Sequence, residues 1–503
     1  MLAKIKFPIL EWIYLKLFHT LDGVVIWCRI CGTIIHFTIS YQLYRLLKYM
    51  NLSKEYSLYL SILYFNLLPK NFIIPDYSNM FIWSLTIILI HLFRLEKDKP
   101  LLHAAICGGW MSVMVLAYPS SALFFPIIFV YLFRRKSNGK ILSLIFTMIC
   151  FFSGLLYLFN LIHVNGSASA LLSNIRYLSE GQTSYTEADP VLKLFHYLKE
   201  SAECILICFF YMLCALMIML YRKIKDKPLS KTQFLYLILF FGGVHHIAHW
   251  LFMLTPYEEA KNYAIHIFIL ISAFFYTKKA EKNSTKTAFL WIGFSLISLI
   301  CVLILTDQTV FSSSKYLTPG VVMGLFLLLT YSQEEDFYTY QKFSRKLLVF
   351  LCLTAVFVKG WCYPANGGAM MNITDIRGII KNGPGKGIFT EYMTSFIAQN
   401  TYNEFQEYVT PGCSLLIVDD SPIAYMYQNI EISSYTTICA PQYNEFLLKY
   451  WELHPEKFPD VIAVTCWYGD LRWEQDSWIM HWIENDYHPL KTIDGKYYRY
   501  YFR

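Results

Sequence analysis

Asp76 and Tyr77 stand in the stretch IIPDYSN, at the mouth of an apolar run that follows at 78–93. A carboxylate there can bind a metal, a sugar hydroxyl or a lysine; the pair equally suits an interfacial turn with an aromatic anchor. Arg29 lies in the outer half of the apolar run 23–43. An ionisable group at that depth is costly, so it is expected either to face protein or a watery cavity, where it can hold a lipid phosphate, or to snorkel outward. His245 and His249 are four apart and share one helix face. That spacing suits zinc, but no third ligand and no HExxH glutamate accompany it, so polar packing is the favoured reading. In TPYEEAKNY, Glu258, Glu259 and Lys261 place two carboxylates and an ammonium on one loop. They can hold a phosphate-bearing substrate or a metal, or they are solvated loop charges.

Two further stretches offer weaker signals. GPGKG (383–387) supplies flexible backbone N–H groups and a lysine that can approach an anion. The Walker spacing is absent, and a structural turn is favoured. The pair Asp419-Asp420 ends a predicted strand, where α/β proteins place active sites, but helix capping explains it as well. Cys28 and Cys31 form a CxxC inside an apolar run and read as small buried residues. Cys362, Cys413, Cys439 and Cys466 can pair if their region is extracellular.

The elements that must position these residues are mostly apolar. Of 503 residues, 56% are hydrophobic and 16% charged, a composition that excludes a large soluble core and indicates an integral membrane protein. The net charge of +7 is carried by short loops, which reads as topology and not as nucleic-acid binding. Residues 1–22 are aromatic and amphipathic and are expected to lie on the outer leaflet; no signal peptide is visible there. Twelve apolar segments follow, near 23–43, 55–68, 78–93, 101–117, 120–133, 141–163, 202–221, 233–254, 261–277, 287–306, 316–331 and 346–361. About 22 basic residues fall in alternate loops, from Arg45, Lys48 and Lys54 through Arg134, Arg135, Lys136 and Lys140 to Lys342, Arg345 and Lys346. The positive-inside rule makes those loops cytoplasmic and places the long segments 163–201 and 362–503 outside. Recognition is expected on that outer face.

From Cys362 the hydropathy drops. Residues 362–503 are expected to form a soluble α/β domain: a helix over 391–409, a strand at CSLLIVDD (413–420), a short helix over 422–429, a strand over 430–437, a helix over 443–454, a strand at VIAVTC (461–466), an amphipathic helix over 474–486, and a hairpin turning at Asp494-Gly495.

A many-span core followed by an extracytoplasmic α/β domain resembles the GT-C superfamily of polyprenyl-phosphate-sugar glycosyltransferases. Locally the resemblance rests on IIPDYSN, on ICGGWMSVMVLAYPSSALFFPI and on SKYLTPGVVMG. The tail, with GPGKGIFTEY and DGKYYRYYFR, is similar to that of a group of uncharacterised bacterial membrane proteins. GT-C enzymes begin with a span and a first outer loop carrying an acidic catalytic motif. Here Met1–Asp22 corresponds to the end of such a loop. The resemblance therefore implies either a late-started or truncated frame or a member without catalysis, and no residue takes the catalytic aspartate.

The activity implied is sugar transfer, on the outer face of a bacterial cell membrane, from a polyprenyl-phosphate donor to a cell-envelope acceptor. A carboxylate serves as base, and basic groups or a divalent metal stabilise the departing lipid phosphate. Arg29, Lys261 and Lys315 are the phosphate candidates by position. A transporter or flippase of lipid-linked envelope precursors is the second reading, although no paired repeat is visible. A non-catalytic scaffold with an outer binding domain is the third.

Overall fold

A long apolar segment in lipid must satisfy its backbone polar groups internally, and a helix does so within one segment. The computed structural model describes residues 8–67, 73–95, 98–180, 190–227, 229, 231–252, 265–273, 283–305, 308–334, 337–364, 370–418, 422–437, 445–467, 470–471 and 477–503. The helices up to residue 361 are α1 (Pro8–Phe18), α2 (Val24–Tyr49), α3 (Lys54–Asn66), α4 (Tyr77–Arg94), α5 (Pro100–Ala117), α6 (Phe124–Phe133), α7 (Gly139–Asn165), α8 (Ala168–Glu180), α9 (Pro190–Ile224), α10 (Lys231–Phe252), α11 (265–273), α12 (Asn283–Leu305), α13 (Thr318–Glu334) and α14 (Phe337–Trp361).

Helix forms at each of the twelve expected apolar segments. Among the described residues, five helices are long and apolar enough to cross a membrane: Val24–Tyr49, Pro100–Ala117, Gly139–His163, Val191–Ile224 and Thr285–Ile304. The 35 residues of α9 reach about 52 Å, well beyond a hydrocarbon layer about 30 Å thick. Over residues 205–221 its exposed side chains are apolar or aromatic, with Ile205, Leu206 and Phe209 all more than 60% exposed. Such a belt is an aggregation hazard in water and is solvated in lipid. The chain is a multi-pass membrane protein.

The fold divides into two compact units: Met1–Cys31 with Leu161–Ser184 and Ala365–Arg503, and Gly32–Asn160 with Tyr185–Pro364. In the second unit α4 is buried all round, with Phe81, Ile82, Trp83, Leu85 and Ile88 fully enclosed. A helix without a polar face belongs at the centre of a bundle. Trp83 and Thr86 on it bond to neighbouring helices, the latter to Tyr64 OH at 2.9 Å. Trp83 Nε1 donates to His36 Nδ1 at 2.9 Å, and His36 Nε2 lies 3.1 Å from the Phe65 carbonyl. Because Nδ1 accepts, the imidazole proton sits on Nε2 and is donated to that carbonyl.

Four short strands precede the main sheet in the chain: β1 (Cys362–Pro364), β2 (Met370–Asn372), β3 (Ile376–Ile379) and β4 (Phe389–Glu391). The first unit holds the α/β fold. Its main sheet runs β6 (Glu431–Ile432), β5 (Ser414–Val418), β7 (Val461–Trp467), β10 (Tyr498–Phe502), β9 (Lys491–Asp494), and β8 (Asp470–Leu471) pairs with the end of β7. β5 is parallel to β6 and β7; β10 is antiparallel to β7 and β9. The run SLLIV is buried at every position, as expected of a strand covered on both faces. Leu415 and Ile417 pack with Phe405 of α15 (Tyr392–Tyr408). Leu416 and Val418 pack with Trp451 of α16 (Phe446–Leu453) and Trp482 of α17 (Trp478–Trp482).

Three expected elements are shorter than the pattern indicates, the first being the helix over 422–429, which is a 3-10 turn at Pro422–Met426. The strand over 430–437 is reduced to Glu431–Ile432. Ser433 N still donates to the Leu415 carbonyl at 3.0 Å; beyond it Ser434 Oγ donates to the Thr436 carbonyl, a local bond where the ladder ends. Among its described residues, the helix expected over 474–486 is α-helical at Trp478–Trp482 and passes into a π-turn at Ile483–Tyr487, which keeps both Ile483 and Tyr487 in the core.

The hairpin β9–β10 is fixed by Glu404, which is 8% exposed. Its carboxylate accepts the N–H groups of Lys496 (3.0 Å), Tyr497 (3.2 Å) and Tyr498 (3.0 Å). Gly495 lies against the same carboxylate, where a Cβ would overlap Oε1. Glu404→Ala leaves three N–H groups without an acceptor and is expected to destabilise the fold by about 3 kcal/mol. Gly495→Ala is expected to act in the same direction through overlap. Thermal unfolding of both variants checks this, and an unchanged Tm in Glu404→Ala would contradict it.

Candidate functional site

The site is built at the start of α4. Pro75 keeps the preceding chain extended, and Asp76 then caps the helix: its Oδ1 accepts from Asn79 N at 2.7 Å. Asn79 Nδ2 donates back to the Ile74 carbonyl at 2.8 Å. α2 approaches this entry closely at Gly32, where a Cβ would fall inside contact distance of the Ile73 carbonyl. A glycine is required there because backbone meets backbone.

In the first turn of α4, Ser78 is 4% exposed and gathers two distant groups. Lys315 Nζ and Tyr316 OH each donate to its Oγ at 3.0 Å. Tyr316 OH lies 2.8 Å from Tyr118 OH, and Gln308 Nε2 donates to Tyr118 OH at 3.1 Å. Since the Tyr316 proton is committed to Ser78, Tyr118 must donate to Tyr316. The chain therefore runs in one direction, Gln308 to Tyr118 to Tyr316 to Ser78, with the Lys315 ammonium at its end. Tyr77 stacks edge-on against Tyr118, ring centroids 5.4 Å apart, and is 43% exposed. Nearby, Glu200 Oε2 accepts from Val310 N at 2.7 Å and ties α9 to the loop that carries Gln308.

Asp76, Tyr77 and Lys315 thus fall in one cluster. Arg29 belongs to the other compact unit, half-buried within α2. Glu258, Glu259 and Lys261 lie outside the described residues, as does Asp419-Asp420. The pattern did not single out Ser78, Tyr118, Tyr316 or Gln308. The signal was present at the level of stretches: IIPDYSN, AYPSS and SKYLTPG are the three that meet here.

The cluster can donate strongly to an anion or a sugar hydroxyl. Lys315 is a point charge with three N–H donors, and the ordered phenols polarise the serine that holds it. Among the described residues no three His, Cys, Asp or Glu side chains are grouped to hold a metal ion.

The other sequence signals have structural roles. In GPGKG, Gly383 N donates to Asp22 Oδ1 at 3.0 Å, Gly23 N donates to the Gly383 carbonyl at 3.0 Å, and Lys386 Nζ lies 3.6 Å from Asp22 Oδ2. The turn's amide and ammonium are thus engaged by the chain's own carboxylate. Tyr211 OH lies 2.9 Å from His245 Nδ1, which is polar packing; the His249 side chain lies outside the described residues. Cys28 and Cys31 are free thiols. Cys413 and Cys466 are also free and stand at opposite ends of β5 and β7, about 23 Å apart by register, so they do not pair. Burial, then the Asp460 carboxylate, pushes the Cys413 thiol up to about 11 and keeps it protonated at neutral pH. Cys439 and the Cys362 side chain lie outside the described residues.

No protein-family model and no curated protein matches the chain. Among solved structures it is similar to the Archaeoglobus fulgidus oligosaccharyltransferase in its apo form, at 10% identity over 88% of this chain with a TM-score of 0.40. The same enzyme, AglB, in complex with an inhibitory peptide and a dolichol-phosphate matches at 11% identity and a TM-score of 0.38, and its form tethered to an acceptor peptide matches at 11% and 0.39, each over 88% of this chain. The chain spans 58% of the length of these structures.

Ser78→Ala removes the one acceptor shared by Lys315 and Tyr316, whereas Tyr316→Phe removes a single link. Ser78→Ala is expected to cost about 2 kcal/mol and Tyr316→Phe about 1 kcal/mol. The double variant should cost less than the sum, because both changes break one chain. Unfolding in detergent measures all three, and strict additivity would count against a continuous chain.

Proposed function

We propose that the protein is a GT-C-like membrane glycosyltransferase that moves a sugar from a polyprenyl-phosphate donor to a cell-envelope acceptor on the outer face of a bacterial membrane. The observation that carries this reading is the convergence of IIPDYSN, AYPSS and SKYLTPG into one Lys315–Ser78–Tyr316–Tyr118–Gln308 chain beside Asp76. The loop-charge alternation supports about twelve spans with residues 362–503 as an extracytoplasmic domain.

In this reading the bond between the sugar anomeric carbon and the lipid phosphate oxygen breaks as the acceptor oxygen bonds the same carbon. The acceptor proton passes to a carboxylate base, and the lipid phosphate leaves as an anion. Lys315 meets the developing negative charge, held in place by Ser78, and is an oriented cation that needs no rearrangement during transfer. Asp76 fixes the start of α4 and so the position of Ser78. Tyr77, partly exposed, packs the edge of the bound sugar or lipid phosphate. Glu258, Glu259 and Lys261 are proposed for the same substrate. Arg29 is proposed as a lipid-phosphate ligand in its own unit.

Membranes carrying the protein are given a radiolabelled polyprenyl-phosphate sugar and cell-envelope glycan. Lys315→Met keeps the stem and removes the charge; transfer is expected to fall about 100-fold while Tm stays close to that of the parent. Undiminished transfer by Lys315→Met would overturn the assignment of this residue. No transfer by the parent chain, with flux of labelled lipid precursor across vesicles instead, would favour the transporter reading.

A further inference from the structure

A second basic feature lies at the far end of α6, away from any residue assigned above. An open pocket of about 470 Å³ is lined by Ile127, Val130, Tyr131, Arg134 and Arg135. Its composition is divided by height. Leu123, in the 3-10 turn that leads into α6, and Ile127 and Val130 of α6 recur at helical spacing and are 53%, 37% and 43% exposed. The same face ends at Arg134, four residues past Val130. Arg135 is held over the Tyr131 ring, 5.3 Å from its centroid, and its Nη2 donates to Tyr131 OH at 3.1 Å. One of the two guanidinium groups is therefore fixed in place by an aromatic side chain of the same helix.

The loop is short and tightly built. Asn138 adopts a positive φ of 55°, and a Cβ on Gly139 would crowd the Leu132 and Phe133 carbonyls. α7 therefore begins directly beside the end of α6, with Lys136 in the connection and Lys140 in the first turn of α7. The negative end of the α6 dipole opposes an anion here. Its effect is reduced because the Val130 and Leu132 carbonyls already accept from Arg134 N and Arg135 N at 3.0 and 3.1 Å.

We propose that this pocket is a binding site for one anionic phospholipid of the surrounding bilayer. The headgroup phosphate is held by Arg134 and Arg135, and an acyl chain lies along Leu123, Ile127 and Val130. The charge complementarity and the apolar stripe leading out of the pocket select a lipid over a soluble phosphate, which would leave the stripe uncovered. Guanidinium groups match phosphate oxygens in pairs, which a lysine cannot do. The site does not depend on sugar transfer.

The test uses the full chain in nanodiscs of equal phosphatidylglycerol and phosphatidylcholine, released and examined by native mass spectrometry for retained lipid. The parent should keep one phosphatidylglycerol in preference to phosphatidylcholine. Arg134→Ala with Arg135→Ala should weaken retention about thirtyfold, as expected for loss of two charge-assisted contacts to one phosphate. Lys136→Ala with Lys140→Ala removes the same charge nearby in the chain, but neither residue lines the pocket, and as exposed charges without direct contact they should weaken it no more than about threefold. Equal losses in the two double variants would overturn the proposal in favour of diffuse attraction. So would equal retention of the two lipids by the parent. Displacement of the bound lipid by millimolar inorganic phosphate alone would show that the apolar stripe contributes nothing, and would overturn the lipid as occupant. Tyr131→Phe, which keeps the ring and loses the hydrogen bond, should retain lipid at a level between the parent and the arginine double variant.

Discussion

The candidate site depends on one oxygen atom. Ser78 Oγ accepts both the Lys315 ammonium and the Tyr316 phenol, from residues 237 and 238 positions away. A buried hydroxyl with two committed donors has little freedom, and it fixes the charge that rests on it. Everything that places Ser78 therefore places the cation: the Asp76 cap, the extended Ile73–Pro75 entry, and Gly32 of α2, which lets that entry lie close. The all-round burial of α4 supplies the rigidity, because a helix enclosed on every side cannot shift its first turn without disturbing a packed core.

The same device recurs at the other end of the chain. Glu404 gathers three backbone N–H groups of the last hairpin, and Asp22 gathers the turn at 383–387. In each case a carboxylate satisfies backbone donors that would otherwise be left open, which converts a sequence of turns into a defined geometry. For GPGKG this decides between two uses of the same residues. The amide and ammonium that would meet a phosphate already meet Asp22.

Much of the α/β region was legible because its signals are local. Alternating and continuous apolar runs separate a half-buried strand from one covered on both faces, and SLLIV, VIAVTC and the Asp494-Gly495 turn carry that information within a few residues. The strand over 430–437 stops short of Ser434, whose hydroxyl bonds the nearby Thr436 carbonyl, a local choice that composition does not reveal. The apolar segments were legible as helices for the same reason of local periodicity. In the membrane region Asp76, Tyr77 and Lys315 stood out by charge or by place. Ser78, Tyr118, Tyr316 and Gln308 did not, since a serine or tyrosine in an apolar helix acquires meaning only from a partner hundreds of residues away. Gly32 likewise looks like any helix glycine until the chain that crosses it is known.

The most direct test of the central claim is where a lipid-linked phosphate touches the protein. A photoreactive polyprenyl phosphate, irradiated with the full chain in membranes and mapped by peptide mass spectrometry, should label the segments that carry Tyr77–Ser78 and Lys315–Tyr316. Excess unlabelled polyprenyl phosphate should suppress both adducts together. Labelling confined to other segments, or adducts here that excess lipid phosphate leaves unchanged, would contradict the account.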